Sequence, residues 1–107
     1  MPRRGDGSIL SLMNTTDFKT FAAAAKARGF DEIVERVWPA NAELASHRHD
    51  FAVEALVVSG EMWLTCAGTT RHLRPGDTFE LAHAAEHAER YGPAGAIYWA
   101  ARRNAAA

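Results

Sequence analysis

The sequence has a single cysteine, no long hydrophobic run and no marked excess of either charge, and each shortage excludes a class of protein. Cys66 is the only cysteine among 107 residues, which excludes an internal disulfide framework and a zinc site built on cysteines. No apolar stretch approaches the roughly 18 residues that a membrane-spanning helix requires. The 12 basic and 13 acidic side chains give a formal net charge of −1. Without a dense basic patch, no nucleic-acid partner is expected.

The length and composition indicate one globular domain. Hydrophobic residues make up 48% of the chain and charged residues 23%, which is typical of a soluble protein with a real core. The first residues, MPRRGDGSIL, carry charge but no long apolar segment, so neither a signal peptide nor membrane attachment is expected. The default expectation is therefore a cytoplasmic protein in which residues 1–14 form a flexible N-terminal arm.

Residues 15–29 carry the only convincing helix signal. Thr15 or Thr16 can cap the N-terminus, and Asp17 favours its positive end. The alanine run that follows has a high helix propensity, and Gly29 is placed to end the helix. The apolar residues recur at helical spacing, which predicts one amphipathic surface helix that packs against the rest of the domain.

Short apolar segments separated by turn residues replace the helical pattern from residue 30 to residue 103. These segments are EIVERVW, HRHDFAVEALVVS, GEMWLTCA, TRHLR, DTFELA and AIYWAARR. They are predicted to be divided at Ser59-Gly60, Gly68, Pro75-Gly76 and Gly92-Pro93. Turn residues at intervals of roughly 8–12 residues are typical of an antiparallel sandwich or a small barrel. The chain is therefore predicted to be all-β, with one N-terminal α-helix packed outside the sheet.

Two histidines separated by one residue enter the second of these segments. Residues two apart in a strand face the same side, so His47 and His49 are predicted to point together. Two imidazoles in one cavity make a ready pair of metal ligands, because histidine is the commonest such ligand. The alternative is that both lie on an exposed strand face, since HxH is a short motif that also occurs by chance.

Two motifs of this chain resemble those of the cupins. In the first cupin motif, five residues separate a glycine from HxH. A glutamate or glutamine and then a second glycine follow HxH. His47, His49 and Gly60 match this motif, and Asn41 stands where the family has the first glycine. Asn41 tolerates the left-handed backbone conformation that a glycine would supply. The second motif begins at Pro75-Gly76 and ends at His87, and the resemblance covers about residues 31–101.

The resemblance implies both a fold and a metal site. The fold is an antiparallel cupin-like β-barrel of the RmlC-like type, also called a double-stranded β-helix or jelly roll, over residues 30–103. The site is a divalent metal ion inside the barrel, held by His47, His49 and His87. Iron, manganese, nickel, cobalt and zinc all suit such ligands, and the sequence does not select among them.

Glu54 is the fourth candidate metal ligand, and its spacing fits the family motif less well. Four residues separate it from His49, which the motif allows, but only five separate it from Gly60, one fewer than in the family. In a regular strand Val53 shares the face of His49, and Glu54 lies on the other face. Glu54 therefore needs a β-bulge between His49 and itself to turn inward; otherwise it is an exposed edge or interface residue.

The neighbouring residues argue against two other histidine motifs in the sequence. The segment from His83 to His87 reads as H-x-x-E-H, the inverted zinc-protease signature, which requires a helix. A β-like segment precedes it, and Gly92-Pro93 follows it. His87 and Glu89 also match the H-x-E of zinc deaminases, but those need a later C-x-x-C, and no cysteine follows.

The resemblance implies a range of functions, because cupins include dioxygenases, isomerases and decarboxylases as well as seed-storage and sugar-binding proteins. The chain is expected to bind a small molecule, either as a metal-dependent oxygenase, isomerase or lyase or as a non-catalytic binding or sensory module. No catalytic residue is assigned, and the candidates for a general base are Glu54, Glu89 and Tyr91. A homodimer that pairs through EIVERVW or the N-terminal arm is also expected, and a metal-free dimeric scaffold is a third alternative.

Overall fold

The structure of the protein, a computed structural model, describes residues 17–104. One helix and six strands follow one another along this part of the chain. They are α1 (Phe18–Ala27), β1 (Glu32–Trp38), β2 (Glu43–His47), β3 (Ala52–Cys66), β4 (Thr69–Leu73), β5 (Thr78–Leu81) and β6 (His87–Arg103). The predicted all-β architecture with one helix is confirmed, whereas the predicted arm at residues 1–14 lies outside the described residues.

The helix α1 is shorter than the segment 15–29 that the sequence predicted. Asp17 is its N-cap, and the Asp17 carboxylate accepts a hydrogen bond of 2.8 Å from the Thr20 backbone N–H. This hydrogen bond holds the pKa of the Asp17 carboxyl below its usual value. A carboxylate therefore caps the helix in place of the hydroxyl of Thr15 or Thr16, both of which lie outside the described residues.

The six strands form one antiparallel sheet around the two long strands β3 and β6. The order is β1-β6-β3-β4, with β2 also paired to β6 and β5 also paired to β3. The two ends of β6 have different neighbours, because β1 pairs with residues 96–102 and β2 with residues 87–90. Within residues 17–104 the ladder of paired strands does not close into a complete ring.

Irregular pairing inside β3 decides which of its side chains face the interior. The strand is continuous where the sequence predicted a break at Ser59-Gly60, but its register against β6 shifts on both sides of that pair. Side chains alternate between the two faces of a strand, so a one-residue shift exchanges the faces. The residues of β3 that are buried in the main core therefore occupy odd positions before the shift and even positions after it: Val53, Ala55, Val57, Met62 and Leu64.

The strand β6 changes its inward face in the same way. The Gly92-Pro93 pair, which the sequence predicted as a break, lies within the continuous strand. Inward positions are odd before this pair and even after it: His87, Glu89, Tyr91, Ala96, Tyr98 and Ala100. The two matched irregularities keep one interior along both long strands, and they bring polar residues from the start of β6 into it.

The main core lies between the inner faces of the strands. Met62, Leu64 and Phe79 belong to this core and are 0%, 3% and 4% exposed. The aromatic ring of Phe79 meets that of Tyr98 edge to face, with the ring centroids 5.3 Å apart. Of these side chains, Phe79 and Tyr98 also line the cavity described below.

The helix α1 covers the outer face of the sheet and forms a second, smaller core. The rings of Phe18 and Phe21 contact Trp99 of β6 at centroid distances of 5.7 and 5.8 Å. Ala25 of the helix and Ala101 of β6 are buried together beneath them. The predicted packing of an amphipathic helix against the domain is confirmed.

The strand β1 lies at one end of the sheet order and leaves Val37 66% exposed. The expected pairing of two copies through this strand stays a prediction. Within residues 17–104, no helix is both long enough and apolar enough to cross a membrane.

Candidate metal centre

His47 is the last residue of β2, and a bulge in that strand turns it inward. The pairing runs from Leu44 opposite Glu89 to His47 opposite His87, so β2 uses one residue more than β6 over this interval. Leu44 and His47 consequently line the same cavity although they are an odd number of residues apart. The bulge thus places the His47 side chain beside the side chain of His87.

His49 lies in the loop after β2, because residues 48–51 interrupt the predicted strand HRHDFAVEALVVS. Its ring stacks on that of Phe51, with the centroids 4.8 Å apart and the planes 4° from parallel. Its carbonyl oxygen accepts a hydrogen bond of 3.0 Å from the Ala84 backbone N–H in the loop before β6. His47 and His49 therefore share one cavity as predicted, but a bulge and a loop contact bring this about instead of strand alternation.

The three predicted histidines form one cluster. Their ring centroids are 4.4 Å apart for His47 and His87, 4.8 Å for His47 and His49, and 5.3 Å for His49 and His87. One ring nitrogen of each lies within 4.8 Å of those of the other two. His87 is buried and the other two are half-buried, so the alternative of an exposed strand face for His47 and His49 is wrong.

Backbone carbonyl groups fix the orientation of two of these rings. The Nδ1 atom of His47 lies 2.7 Å from the Ala45 oxygen, and that of His87 lies 3.0 Å from the Ala85 oxygen. A carbonyl oxygen only accepts, so Nδ1 carries the proton in both rings. In the neutral rings the lone pair is therefore on Nε2, the arrangement usual for histidines that bind metals.

The surroundings of His49 favour its neutral form. Burial lowers the pKa of His49, and the neighbouring His47 and His87 rings lower it further, because each disfavours another positive charge nearby. An uncharged imidazole has a lone pair to offer to a metal ion, whereas a protonated one has none.

Glu89 supplies the carboxylate that lies against this cluster. Its Oε2 atom is 3.2 Å from Nε2 of His87 and 3.7 Å from Nε2 of His47, and its side chain is 5% exposed. Its other oxygen, Oε1, accepts a hydrogen bond from the Tyr91 hydroxyl. Burial raises the pKa of Tyr91, and the nearby Tyr98 and Glu89 raise it further, so this hydroxyl stays protonated and donates.

Glu54, the fourth predicted ligand, points away from the histidines. The pairing of β3 is regular from Ala52 to Val57, so the bulge that an inward Glu54 requires is missing. Val53 lines the cavity instead. The Glu54 carboxylate forms an ion pair of 2.8 Å with Arg28, and its side chain is 40% exposed. The expectation that Glu54 joins the ligand set is therefore corrected.

The position of Glu89 in the sequence already indicates that its side chain lies beside that of His87. Glu89 is two residues after His87 on one strand, so the two side chains share a face. From the sequence, Glu89 was considered as part of an H-x-E deaminase motif and as a candidate general base, but not as a metal ligand. Its inward orientation also depends on the reversal of faces along β6, which no short motif reveals.

A cavity of about 70 Å³ adjoins the cluster. Most of its lining side chains are apolar or aromatic. The side chains with polar groups are the three histidines, one glutamate, two arginines, the Tyr98 phenol and the Trp38 indole. The lining side chains are Arg36, Trp38, Leu44, His47, His49, Phe51, Val53, Phe79, Leu81, His87, Glu89, Tyr98, Ala100 and Arg102. Apolar walls with a few convergent polar groups are typical of a small-molecule site.

Solved structures with the same fold include proteins from several bacteria. An RmlC-like cupin from Shewanella frigidimarina is 26% identical, with a TM-score of 0.61, and the match covers 68% of this chain and 65% of that one. KdgF from Halomonas sp. is 24% identical, with a TM-score of 0.58 and coverages of 65% and 67%. The DMSP lyase DddQ from Ruegeria pomeroyi is 24% identical, with a TM-score of 0.58 and coverages of 66% and 36%.

These likenesses extend over about two thirds of the Shewanella and Halomonas chains and about one third of the DMSP lyase. No curated protein matches the sequence. The family model described as the AraC-like ligand binding domain matches residues 31–99, well over half of the chain. The match runs from the start of β1 into β6 and includes all three histidines and Glu89. Taken with the RmlC-like cupin neighbours, it means that the chain belongs to the AraC-like ligand binding domain family and is a small cupin.

Proposed function

We propose that this protein binds one divalent metal ion through His47, His49 and His87, with Glu89 as the carboxylate ligand, and holds a small organic molecule in the adjoining cavity. The observation that carries the proposal is Nε2 of His47, which is buried and has no hydrogen-bond partner among the described residues. An unpartnered buried acceptor is costly, and a cation at this point would satisfy it.

The neighbouring atoms support the same assignment. Because the Nδ1 atoms of His47 and His87 donate to carbonyl groups, the lone pair of each ring in its neutral form lies on Nε2, and both Nε2 atoms face Oε2 of Glu89. Three acceptors that face one another repel unless a proton or a metal cation lies between them. A proton on His87 would satisfy the contact of 3.2 Å but would leave the His47 nitrogen without a partner.

The spacing of these atoms also suits a metal ion. Nitrogen and oxygen ligands that each lie about 2.0–2.2 Å from one ion are about 3–3.6 Å from one another. The distances from Oε2 of Glu89 to the two Nε2 atoms are 3.2 and 3.7 Å. Only small side-chain movements would therefore be needed for Glu89, His47 and His87 to share an ion.

Each residue of the site has a role in this proposal. The three imidazoles hold the ion, Glu89 adds a negative charge, and the Tyr91 hydroxyl fixes the Glu89 carboxylate by donating to its second oxygen. The apolar walls limit the access of water. A divalent ion with an open position would polarise a small organic substrate or activate water or dioxygen, which is the chemistry that the isomerase, lyase or oxygenase activity expected of such a site requires. Iron, manganese, nickel, cobalt and zinc remain the candidates.

A non-catalytic binding module is the second candidate function, and the match to a ligand-binding domain family favours it. Such a module would bind its ligand in the same cavity, beside the same ion, and release it chemically unchanged. Recovery of a bound molecule intact, after long incubation with the metal-loaded protein, supports the module over the enzyme.

The proposal is tested by the metal content and metal affinity of the purified protein. We expect about one transition-metal ion per chain by elemental analysis, either as isolated or after loading and desalting. Glu89→Gln is expected to weaken the metal affinity about 10–100-fold, because it removes the negatively charged ligand and its contacts with His47 and His87.

Glu54→Gln is the matched control for Glu89→Gln. It removes an exposed ion pair with Arg28, which contributes at most about 1 kcal/mol to stability, and metal affinity should not change. A wild-type protein that neither carries nor takes up a metal ion refutes the proposed function. Equal affinities for the two glutamine variants would remove Glu89 from the ligand set.

A further inference from the structure

Two arginines line the cavity on faces of the sheet that otherwise carry core residues. Arg36 follows Val34 on the inner face of β1, and Arg102 follows Ala100 on the inner face of β6. Val34 and Ala100 pack in the main core. A guanidinium group on such a face loses hydration and is seldom retained there without an anionic partner. Core packing alone therefore does not explain why two arginines lie on these inner faces.

The protein neutralises these arginines only in part. Arg36 lies over the Trp38 ring, with Cζ 4.9 Å from the centroid, and it forms no ion pair with any residue in the range 17–104. Arg102 lies 4.6 Å from the Phe51 centroid and reaches Glu32 at 3.4 Å, where the Glu32 side chain is 53% exposed. Both guanidinium groups are thus held by aromatic rings at the cavity and keep hydrogen-bond donors to offer.

The charge within the cavity is unbalanced. Glu89 is the only carboxylate among the lining residues, and its two oxygens already face His47, His87 and Tyr91. A divalent ion at the histidines would add further positive charge to that of the two arginines. In a poorly hydrated cavity this excess attracts an anion strongly.

We propose that the small molecule bound in this cavity carries a carboxylate group, which Arg36 and Arg102 bind beside the metal site; the inference rests on the function proposed above. The planar guanidinium fork matches a carboxylate with two parallel hydrogen bonds. The volume of about 70 Å³ is well below the roughly 300–1,000 Å³ of pockets for drug-sized ligands. The ligand is therefore a short organic acid with few non-hydrogen atoms.

The test compares acids with their uncharged amides. Glycolate, lactate and pyruvate are titrated calorimetrically into the metal-loaded protein, with glycolamide, lactamide and pyruvamide as neutral counterparts and inorganic phosphate as a second anion. At least one acid is expected to bind at least tenfold more tightly than its amide. Arg36→Gln is expected to weaken the binding of that acid about 10–100-fold, as for the loss of a charged hydrogen-bonding partner.

Arg90→Gln is the matched control for Arg36→Gln. Arg90 also lies over a tryptophan ring, that of Trp63 at 4.1 Å, but it is exposed and does not line the cavity. Acid binding by the Arg90 variant should equal that of wild type. Equal binding of acid and amide, an unchanged affinity in Arg36→Gln, tighter binding of phosphate than of any acid, or no binding of any acid overturns the inference.

The result of the acid-binding test can be distinguished from the result of the metal-binding test. Metal content is measured for each variant before the titrations, and Arg36→Gln should retain the wild-type amount. Should the wild type bind no metal, the metal proposal fails, and the same titrations on the metal-free protein still decide whether Arg36 binds a carboxylate.

Discussion

Replacing both His47 and His49 by alanine is expected to lower the metal affinity by a factor on the order of a thousand or more. Sites of this kind bind their ions with about 10 kcal/mol or more, and the double variant removes two of the three nitrogen ligands. The remaining His87 and Glu89 would form an ordinary pair of 3.2 Å. Competition with a chromophoric chelator measures the affinity, and circular dichroism checks that the fold is retained.

His72→Ala is the control for this double variant. His72 lies on β4, where it pairs with Glu61 at 2.6 Å and stacks on Trp63, and it does not line the cavity. Its loss should leave metal affinity within about twofold of wild type, as for a residue without contact to the site. If the double variant binds metal as tightly as His72→Ala does, the histidine cluster is not the metal site.

Gly60→Ala is expected to destabilise the protein by about 3–5 kcal/mol, a large part of the stability of an ordinary small domain. Gly60 has a φ of 75°, which costs a residue with a side chain about 1–2 kcal/mol. A Cβ atom there would also lie 2.0 Å from the Gly95 oxygen and 2.8 Å from the Ala96 Cα atom. Both are backbone atoms of β6, so β3 and β6 would have to separate where both change their inward faces. Urea denaturation measures the loss.

Gly68→Ala separates the two causes of this loss. Gly68 has nearly the same φ, 78°, but nothing lies within 4 Å of the position of its Cβ atom. Its substitution should therefore cost only about 1–2 kcal/mol. Equal stabilities of the two variants would mean that the close approach of β3 to β6 at Gly60 contributes nothing.

Local chemistry made much of the fold predictable. Apolar segments punctuated by glycine and proline predicted the antiparallel sheet, and Asn41, placed where cupins have a glycine, does adopt a φ of 59°. Two of the predicted breaks are instead irregularities inside continuous strands, at Ser59-Gly60 and Gly92-Pro93. A glycine ends a strand or bends one according to the pairing on either side, and that pairing depends on distant parts of the chain.

The candidate site was predictable in part for the same reason. Motif spacing identified His47, His49 and His87, and the structure brings them together. Glu54 satisfied the motif approximately, but the regular ladder around it fixes its side chain on the helix-facing side. The bulge that the site uses lies before His47, between Leu44 and His47, and the carboxylate comes from β6. Strand register controls each of these features, and register is a property of pairs of strands.

The proposed metal site is tested most directly by an anomalous difference map. The map is recorded from crystals of the metal-loaded protein at the absorption edge of the bound metal. We expect one peak in the cavity, about 2.0–2.2 Å from Nε2 of His47, from Nε2 of His87, from a ring nitrogen of His49 and from a carboxylate oxygen of Glu89. Metal-loaded crystals with no peak there, or with a peak bound by other residues, would contradict the proposed site.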